Sequence, residues 1–62
     1  MGWFTDYYIA ADGVRLPLPD FTSKAKAIAK IKSPVWRMNW AVDSKVLEVR
    51  EVETHKVVWQ ET

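Results

Sequence analysis

His55 is the only histidine in the chain, and near neutral pH a histidine can transfer a proton or bind a metal ion. Either role needs partners within reach, and the sequence contains no cysteine and no second histidine. The polar residues 53–56 around it are typical of a turn. We therefore expect His55 to be a solvated turn residue, and we expect the chain to bind no metal and no other cofactor.

The aspartates and serines have structural explanations that leave no catalytic set. Asp12 precedes Gly13 in a pair typical of a tight turn, and Asp20 precedes a predicted helix. Ser23 and Ser33 stand where they can cap helices. The sequence contains no Gly-x-Ser-x-Gly elbow and no glycine-rich phosphate loop. These features predict a protein that is not an enzyme.

Basic residues in the middle of the chain could bind phosphate groups. Four lysines occur within residues 23–32 without any acidic residue between them, so no i, i+4 ion pair can form there. With two arginines they make a candidate nucleic-acid surface: Arg15, Lys24, Lys26, Lys30, Lys32 and Arg37. The alternative is an ordinary solvated helix face. The sequence pI of 8.1 favours that alternative, because nucleic-acid-binding domains typically exceed about 9.

Trp36 and Trp40 raise the question of whether the aromatic residues form a core or a contact surface. Side chains four positions apart share a face in a strand and nearly so in a helix, so these two point the same way in either structure. A chain without other means of stabilisation needs most aromatic residues inside, including Trp40 and Trp59. Four tryptophans, two tyrosines and two phenylalanines nevertheless exceed what one thin layer encloses. We expect an aromatic surplus to bind a protein partner, with these candidates: Trp3, Phe4, Tyr8, Trp36 and Arg37.

Length and composition predict one small domain, residues 1–62, near the lower size limit for independent folding. Without cysteine there is no disulfide, so apolar packing by a chain that is 48% hydrophobic must supply the stability. Six basic and three acidic residues give residues 1–42 a charge of +3, whereas residues 43–62 carry −2. No apolar run approaches the ~18 residues of a membrane span, and the start lacks a signal-peptide pattern. We expect a soluble, cytoplasmic protein without a membrane partner.

The elements that must position these residues begin with a hairpin over residues 3–19, centred on the Asp12-Gly13 turn. Its predicted pairs are Ala11–Val14, Ala10–Arg15, Ile9–Leu16, Tyr8–Pro17 and Tyr7–Leu18. Tyr7, Ile9, Leu16 and Leu18 then share the face toward the core, while Phe4, Asp6, Tyr8, Ala10 and Arg15 share the other. Pro17 and Pro19 lack the N–H that a further strand would need, so the second strand is predicted to be a sheet edge.

A helix is predicted over residues 23–32, capped by Thr22 or Ser23 and ended by Ser33-Pro34. Its apolar stripe consists of Ala27, Ile28 and Ile31, with Ala25 at the margin. Residues 34–42 remain open between a second helical turn and a strand, because Ser33-Pro34 favours a helix start and Trp36, Met38, Trp40 and Val42 alternate.

A closing hairpin is predicted from the β-branched runs 46–52 and 57–60, after a turn at residues 43–45. Pairing Val52 with Val57 would place Arg50 opposite Trp59 in a cation–π contact. The resulting fold class is α+β: a two-layer domain with an antiparallel sheet of four or five short strands, ordered ββα then ββ or βββ, and one helix on one face.

In size and layout the chain resembles the small early proteins of bacteriophages that inhibit host enzymes or defence complexes, including anti-CRISPR proteins. The resemblance rests on the stretches "DGVRLPLP", "TSKAKAIAKIK" and "VLEVREVETHKVVW". It implies an inhibitor acting in the host cytoplasm, and it implies no particular site residue because those proteins share no common motif.

Three functions are therefore open. The first is a small inhibitor or adaptor that acts by protein–protein contact. The alternative is a DNA- or RNA-binding regulator that uses the basic helix 23–32. The third is a structural or assembly subunit that forms homo-oligomers through its aromatic surplus.

Overall fold

The computed structural model of the protein describes residues 5–61, which form one sheet and two helices. The elements follow in the order β1 (Tyr7–Ala11), β2 (Val14–Arg15), α1 (Lys24–Ile31), α2 (Pro34–Trp40), β3 (Leu47–Glu51) and β4 (Val57–Gln60). The four strands are antiparallel neighbours in the order β2-β1-β3-β4. The α+β class and its antiparallel sheet are confirmed, but the described residues contain two helices where one was predicted.

The core lies between one face of the sheet and the two helices. Its buried side chains come from the strands, the helices and the turn after α2: Ile9, Ala11, Ala27, Ile31, Trp36, Val42, Leu47 and Val49. Tyr7, Leu16 and Leu18 pack against this cluster as the hairpin pattern predicted, and so do Trp40 and Trp59. A single cluster built from both layers is what a chain without disulfides requires.

The first hairpin turns at Asp12 and Gly13, whose φ angles of 51° and 83° are those of the predicted type I′ turn. The predicted pairs Ala10–Arg15 and Ala11–Val14 are confirmed. The predicted Tyr7–Leu18 pair is wrong, because the Leu18 N–H instead donates to the Leu16 carbonyl at 2.8 Å and the chain leaves the strand there. Flanking prolines that cannot donate explain this departure, and β2 is the predicted edge strand.

Tyr7 pairs instead with Phe21, through two backbone hydrogen bonds of 2.8 Å. This bridge brings the chain back to β1 just before α1 begins. Ser23 then caps the helix, because its Oγ accepts from the Lys26 N–H at 3.1 Å. Ala27 and Ile31 are fully buried one turn apart, as the apolar stripe predicted.

The open question of residues 34–42 is answered by a helix. Ser33 caps α2 by accepting from the Trp36 N–H, and Pro34 occupies the first turn, where its missing N–H costs nothing. The Trp36 and Trp40 rings lie 6.3 Å apart on the inner side, so their predicted common direction is confirmed. Met38 shares a face with them only in a strand, and in α2 it points outward.

The second hairpin forms with a different register from the predicted one. Arg50 pairs with Val57 and Val49 with Trp59, with an irregularity between these pairs. The turn lies one residue earlier than predicted, because Glu51 and Lys56 bound it in place of Val52 and Val57: the Glu51 N–H bonds the Lys56 carbonyl at 3.0 Å. A shift of one residue moves a side chain to the other face of a sheet. The predicted Arg50–Trp59 contact is therefore wrong, since Trp59 packs on the core and Arg50 lies on the opposite face.

Candidate binding surface

Residues 5–61 contain no feature of an enclosed active site. No pocket is found among them, and no three histidine, aspartate or glutamate side chains converge on a point that could hold a metal ion. Neither of the two helices has the length and apolar character needed to cross a membrane. A function of the described residues therefore has to be sought on the outer surface of the domain.

His55 lies exposed in the turn between β3 and β4, as its polar neighbours predicted, with a left-handed φ of 59°. Its Nδ1 is 2.9 Å from the Tyr8 hydroxyl, and the two rings meet edge to face at 5.8 Å. The hydroxyl can donate to Nδ1 when the imidazole proton is on Nε2. His55 thus has one partner that the sequence gave no reason to expect, because the sheet brings residues 47 positions apart together.

Tyr8 is the centre of a group of side chains on the sheet face that points away from the helices. We call this group the back-face cluster: Tyr8, Arg15, Glu48, Arg50 and His55. The Arg15 guanidinium lies 4.7 Å from the centre of the Tyr8 ring in a cation–π contact and is also paired with Asp20. Tyr8 is only 5% exposed.

Arg50 completes the back-face cluster by donating to Glu48 from Nε at 3.1 Å and from Nη2 at 2.8 Å. The pKa of Arg50 is raised, chiefly by its hydrogen bond to Glu48 and further by the Tyr8 hydroxyl. The polar groups of the back-face cluster are therefore engaged with one another.

Arg37 is likewise engaged by groups of the same chain. Its guanidinium donates to both carboxylate oxygens of Glu61 at 2.8 and 3.2 Å, to Asp43 at 2.9 Å and to the Ile31 carbonyl at 3.1 Å. The hydrogen bond to Glu61 is the largest cause of the raised pKa of Arg37, followed by that to Asp43. The arginine therefore joins the end of α1, the helix α2 and the residue after β4.

Three of the five predicted partner-binding residues lie within the described part of the chain: Tyr8, Trp36 and Arg37. Tyr8 and Trp36 are 5% and 8% exposed, so the expectation that they leave aromatic surface exposed is wrong. Trp36 belongs to the small core, which needs the area of its ring, whereas Tyr8 is covered on the back face by Arg15 and His55. The Trp36 Nε1 is buried and has no hydrogen-bond partner within residues 5–61, where its ring packs in the apolar core. Trp3 and Phe4 lie outside the described residues.

The predicted nucleic-acid residues divide into two kinds. Arg15 and Arg37 are ion-paired with carboxylates of the same chain. The four lysines of the basic helix are exposed, and within residues 5–61 none of them forms an ion pair: Lys24, Lys26, Lys30 and Lys32. The basic groups that remain accessible for a partner on the helices are therefore ammonium groups rather than guanidinium groups.

Two apolar side chains on α2 were missed by the sequence analysis. Val35 is 68% exposed and Met38 is 77% exposed, and three positions apart in a helix places them side by side. The signal was present in the Ser33-Pro34 helix start, since a helix that turns both tryptophans inward must turn Met38 outward.

The exposed lysines and apolar residues lie on adjoining helices. α1 and α2 are separated by two residues and pack against each other. We call their exposed side the helical outer surface, defined by Lys24, Lys26, Lys30, Lys32, Val35 and Met38. Its lysines have no ion-pair partner in the described chain, and no element formed by residues 5–61 covers its two apolar side chains.

No family model, curated protein or solved structure matches this chain. Its function is therefore inferred from its own side chains. The polar side chains of the back-face cluster contact one another, whereas the lysines of the helical outer surface have no ion-pair partner among the described residues.

Proposed function

We propose that this chain is a small non-enzymatic binding protein, an inhibitor or adaptor of the phage type, which contacts another protein through the helical outer surface. The observation that carries the proposal is the exposure of Val35 and Met38 on a helix whose opposite side is packed into the core. Burying two such side chains against a partner would contribute ~1.5–3 kcal/mol each. Methionine also adapts to irregular partner surfaces because its side chain is unbranched.

Single exposed apolar residues are normal on protein surfaces and need no function. Val14 of β2 is an example, because it is 67% exposed beside the turn at the sheet edge. Val35 and Met38 differ because they adjoin each other, and exposed lysines lie on the neighbouring helix. An apolar centre with a charged rim is the usual composition of a protein interface.

Nucleic-acid binding is the second candidate, because the lysines of α1 have no ion-pair partner within the described residues. Two observations make it weaker than a protein partner. The arginines, which give bidentate contacts to phosphate, are engaged internally. The tryptophan rings of α2 point inward, so they offer no face on which a base could stack.

Self-association is the third candidate, because Val35 and Met38 could contact a second copy of the chain. Light scattering after size exclusion separates this case from the others. A monomeric mass at concentrations well above those used for partner binding would exclude a homo-oligomeric assembly subunit.

The experiment that tests the proposed function compares the tagged wild type with a Val35→Ser/Met38→Ser variant in quantitative capture of proteins from a host lysate. Val14→Ser is the matched control, because it removes a similarly exposed valine elsewhere. We expect a protein that the wild type and the control retain and the double variant loses. Capture that is equal for all three chains, or that disappears on nuclease treatment, would contradict the proposal.

A further inference from the structure

We infer that the partner of the helical outer surface is an acidic protein segment, which sets its carboxylates against the lysines of α1 and an apolar side chain against Val35 and Met38. This inference rests on the proposed function and adds the chemistry of the partner. Three observations on the chain carry it: the balance of charge on the helices, the placement of lysines within α1, and the contact between the two helices.

The charge on the helices is one-sided. α1 and α2 together contain three lysines and one arginine and no acidic residue. Arg37 is paired with Glu61 and Asp43, whereas none of the lysines has an ion-pair partner among the described residues. The carboxylates of the described chain that neither pair with arginine nor accept a backbone N–H are Asp6, Glu51 and Glu53, and they lie beside the β3–β4 turn. A partner surface complementary to the helices is therefore negative.

Lysines also occupy positions in α1 where they lower the stability of the helix. The first turn of a helix carries partial positive charge, so acids stabilise it and lysines do not. α1 begins with Lys24, and its first turn contains no acid. Lys26 stands at the third helical position, where a glutamate after the Ser23 cap would complete a capping box. Departures from the locally stable residue are expected at functional sites.

The contact between the helices places the two kinds of group on adjoining elements. Lys32 is the C-cap residue that follows α1, and Val35 lies three positions after it. Exposed ion pairs at the edge of an interface contribute mainly specificity and association rate, while apolar burial at the centre supplies affinity. A phosphate backbone would match the charge of the lysines but would offer no apolar group to contact Val35 and Met38. An anionic lipid surface would also match the charge, but two apolar side chains on a helix of seven residues give little area to bury in it.

The inference is tested by selecting binders to the full 62-residue chain from a displayed library of random peptides at about 0.15 M salt. We expect selected peptides to combine several aspartates or glutamates with a large apolar residue. Their affinity should fall about tenfold or more when the acids are replaced by amides, and by a similar factor for Lys26→Glu/Lys30→Glu. Lys56→Glu, which reverses an exposed lysine outside the helices, is the matched control and should leave affinity unchanged.

The outcomes separate the inference from the proposed function. Neutral or basic selected peptides that bind the glutamate variant normally but lose binding to Val35→Ser/Met38→Ser would overturn the acidic partner and leave the binding surface in place. Peptides that bind the serine variant as they bind the wild type would overturn the proposed function itself. Duplex DNA or anionic lipid vesicles that bind more tightly than every selected peptide, and depend on Lys26 and Lys30, would overturn the acidic protein partner in favour of those ligands.

Discussion

The two outer sides of this domain use polar residues in opposite ways. On the back face of the sheet, Tyr8, Arg15 and Arg50 contact one another or nearby acids, and Tyr8 is almost completely buried. On the helical outer surface, the lysines have no ion-pair partner in the described chain, and Met38 is 77% exposed. Both sides are rich in basic residues, so composition alone does not distinguish them.

The difference shows that two properties indicate the role of a basic residue: whether it is an arginine or a lysine, and whether it forms an ion pair within the chain. The arginines Arg15, Arg37 and Arg50 each bind a carboxylate, and Arg37 does so through both oxygens of Glu61. Their planar guanidinium groups suit such fixed contacts, whereas a lysine ammonium on a flexible stem does not. The arginines are therefore engaged by carboxylates of the same chain, and the lysines remain available for a partner.

The largest effect is expected from Tyr8→Ala, which removes the centre of the back-face cluster. Truncating a buried aromatic residue costs ~3–5 kcal/mol, a large part of the stability of a domain this small. We expect most of the chain to be unfolded, as measured by circular dichroism and urea titration. Tyr8→Phe keeps the ring and loses the contacts of the hydroxyl with His55 and Arg50, so it should cost ~0.5–1.5 kcal/mol. A stable Tyr8→Ala variant would show that the back-face cluster contributes no more than the helical outer surface.

A smaller loss is expected from Gly13→Val, which tests the hairpin that carries Tyr8 and Arg15. Gly13 has a φ of 83°, and no atom lies within 4 Å of a Cβ added there, so only the backbone conformation is strained. A β-branched residue at such a position should cost ~1–2 kcal/mol. An unfolding midpoint equal to that of the wild type would mean that the turn does not need this conformation.

On the helical outer surface, we expect one substitution to raise the stability of the protein instead of lowering it. Lys26→Glu places an acid in the first turn of α1 and completes the capping box with Ser23. We expect the free energy of unfolding to rise by ~0.3–1 kcal/mol, measured by urea titration. Lys30→Glu, in the last turn, is the matched control and should lower it slightly. If Lys26→Glu destabilises the protein, the lysine has a structural role, and our comparison of the two sides fails.

Much of the fold followed from local sequence signals. The Asp12-Gly13 turn set the register of the first hairpin, and the Ser23 cap and the apolar stripe Ala27–Ile31 located α1. These signals are local because turn geometry and helix caps depend on a few neighbouring residues. The register of the second hairpin was missed, because a turn containing His55 in a left-handed conformation has no strong sequence signature.

The candidate site was harder to predict, because it depends on which side chains find partners. The lysines were recognised from their spacing, but Arg15 and Arg37 were grouped with them, since their ion pairs with Asp20 and Glu61 form only in the folded chain. Met38 was missed because its face depended on the unresolved choice between strand and helix. Distant pairing and burial are properties of the tertiary structure, and one sequence does not contain them as a pattern.

The central claim is that the helical outer surface binds a partner and is not needed for folding. The most direct test measures two quantities for Val35→Ser/Met38→Ser: its urea unfolding midpoint and its dissociation constant for the tightest peptide selected against the wild type. We expect a stability within ~0.5 kcal/mol of the wild type, because both side chains are exposed, and an affinity at least about tenfold weaker. An unchanged dissociation constant would show that this surface does not bind the peptide, and a clear loss of stability that explains the weaker binding would show that it is needed for folding.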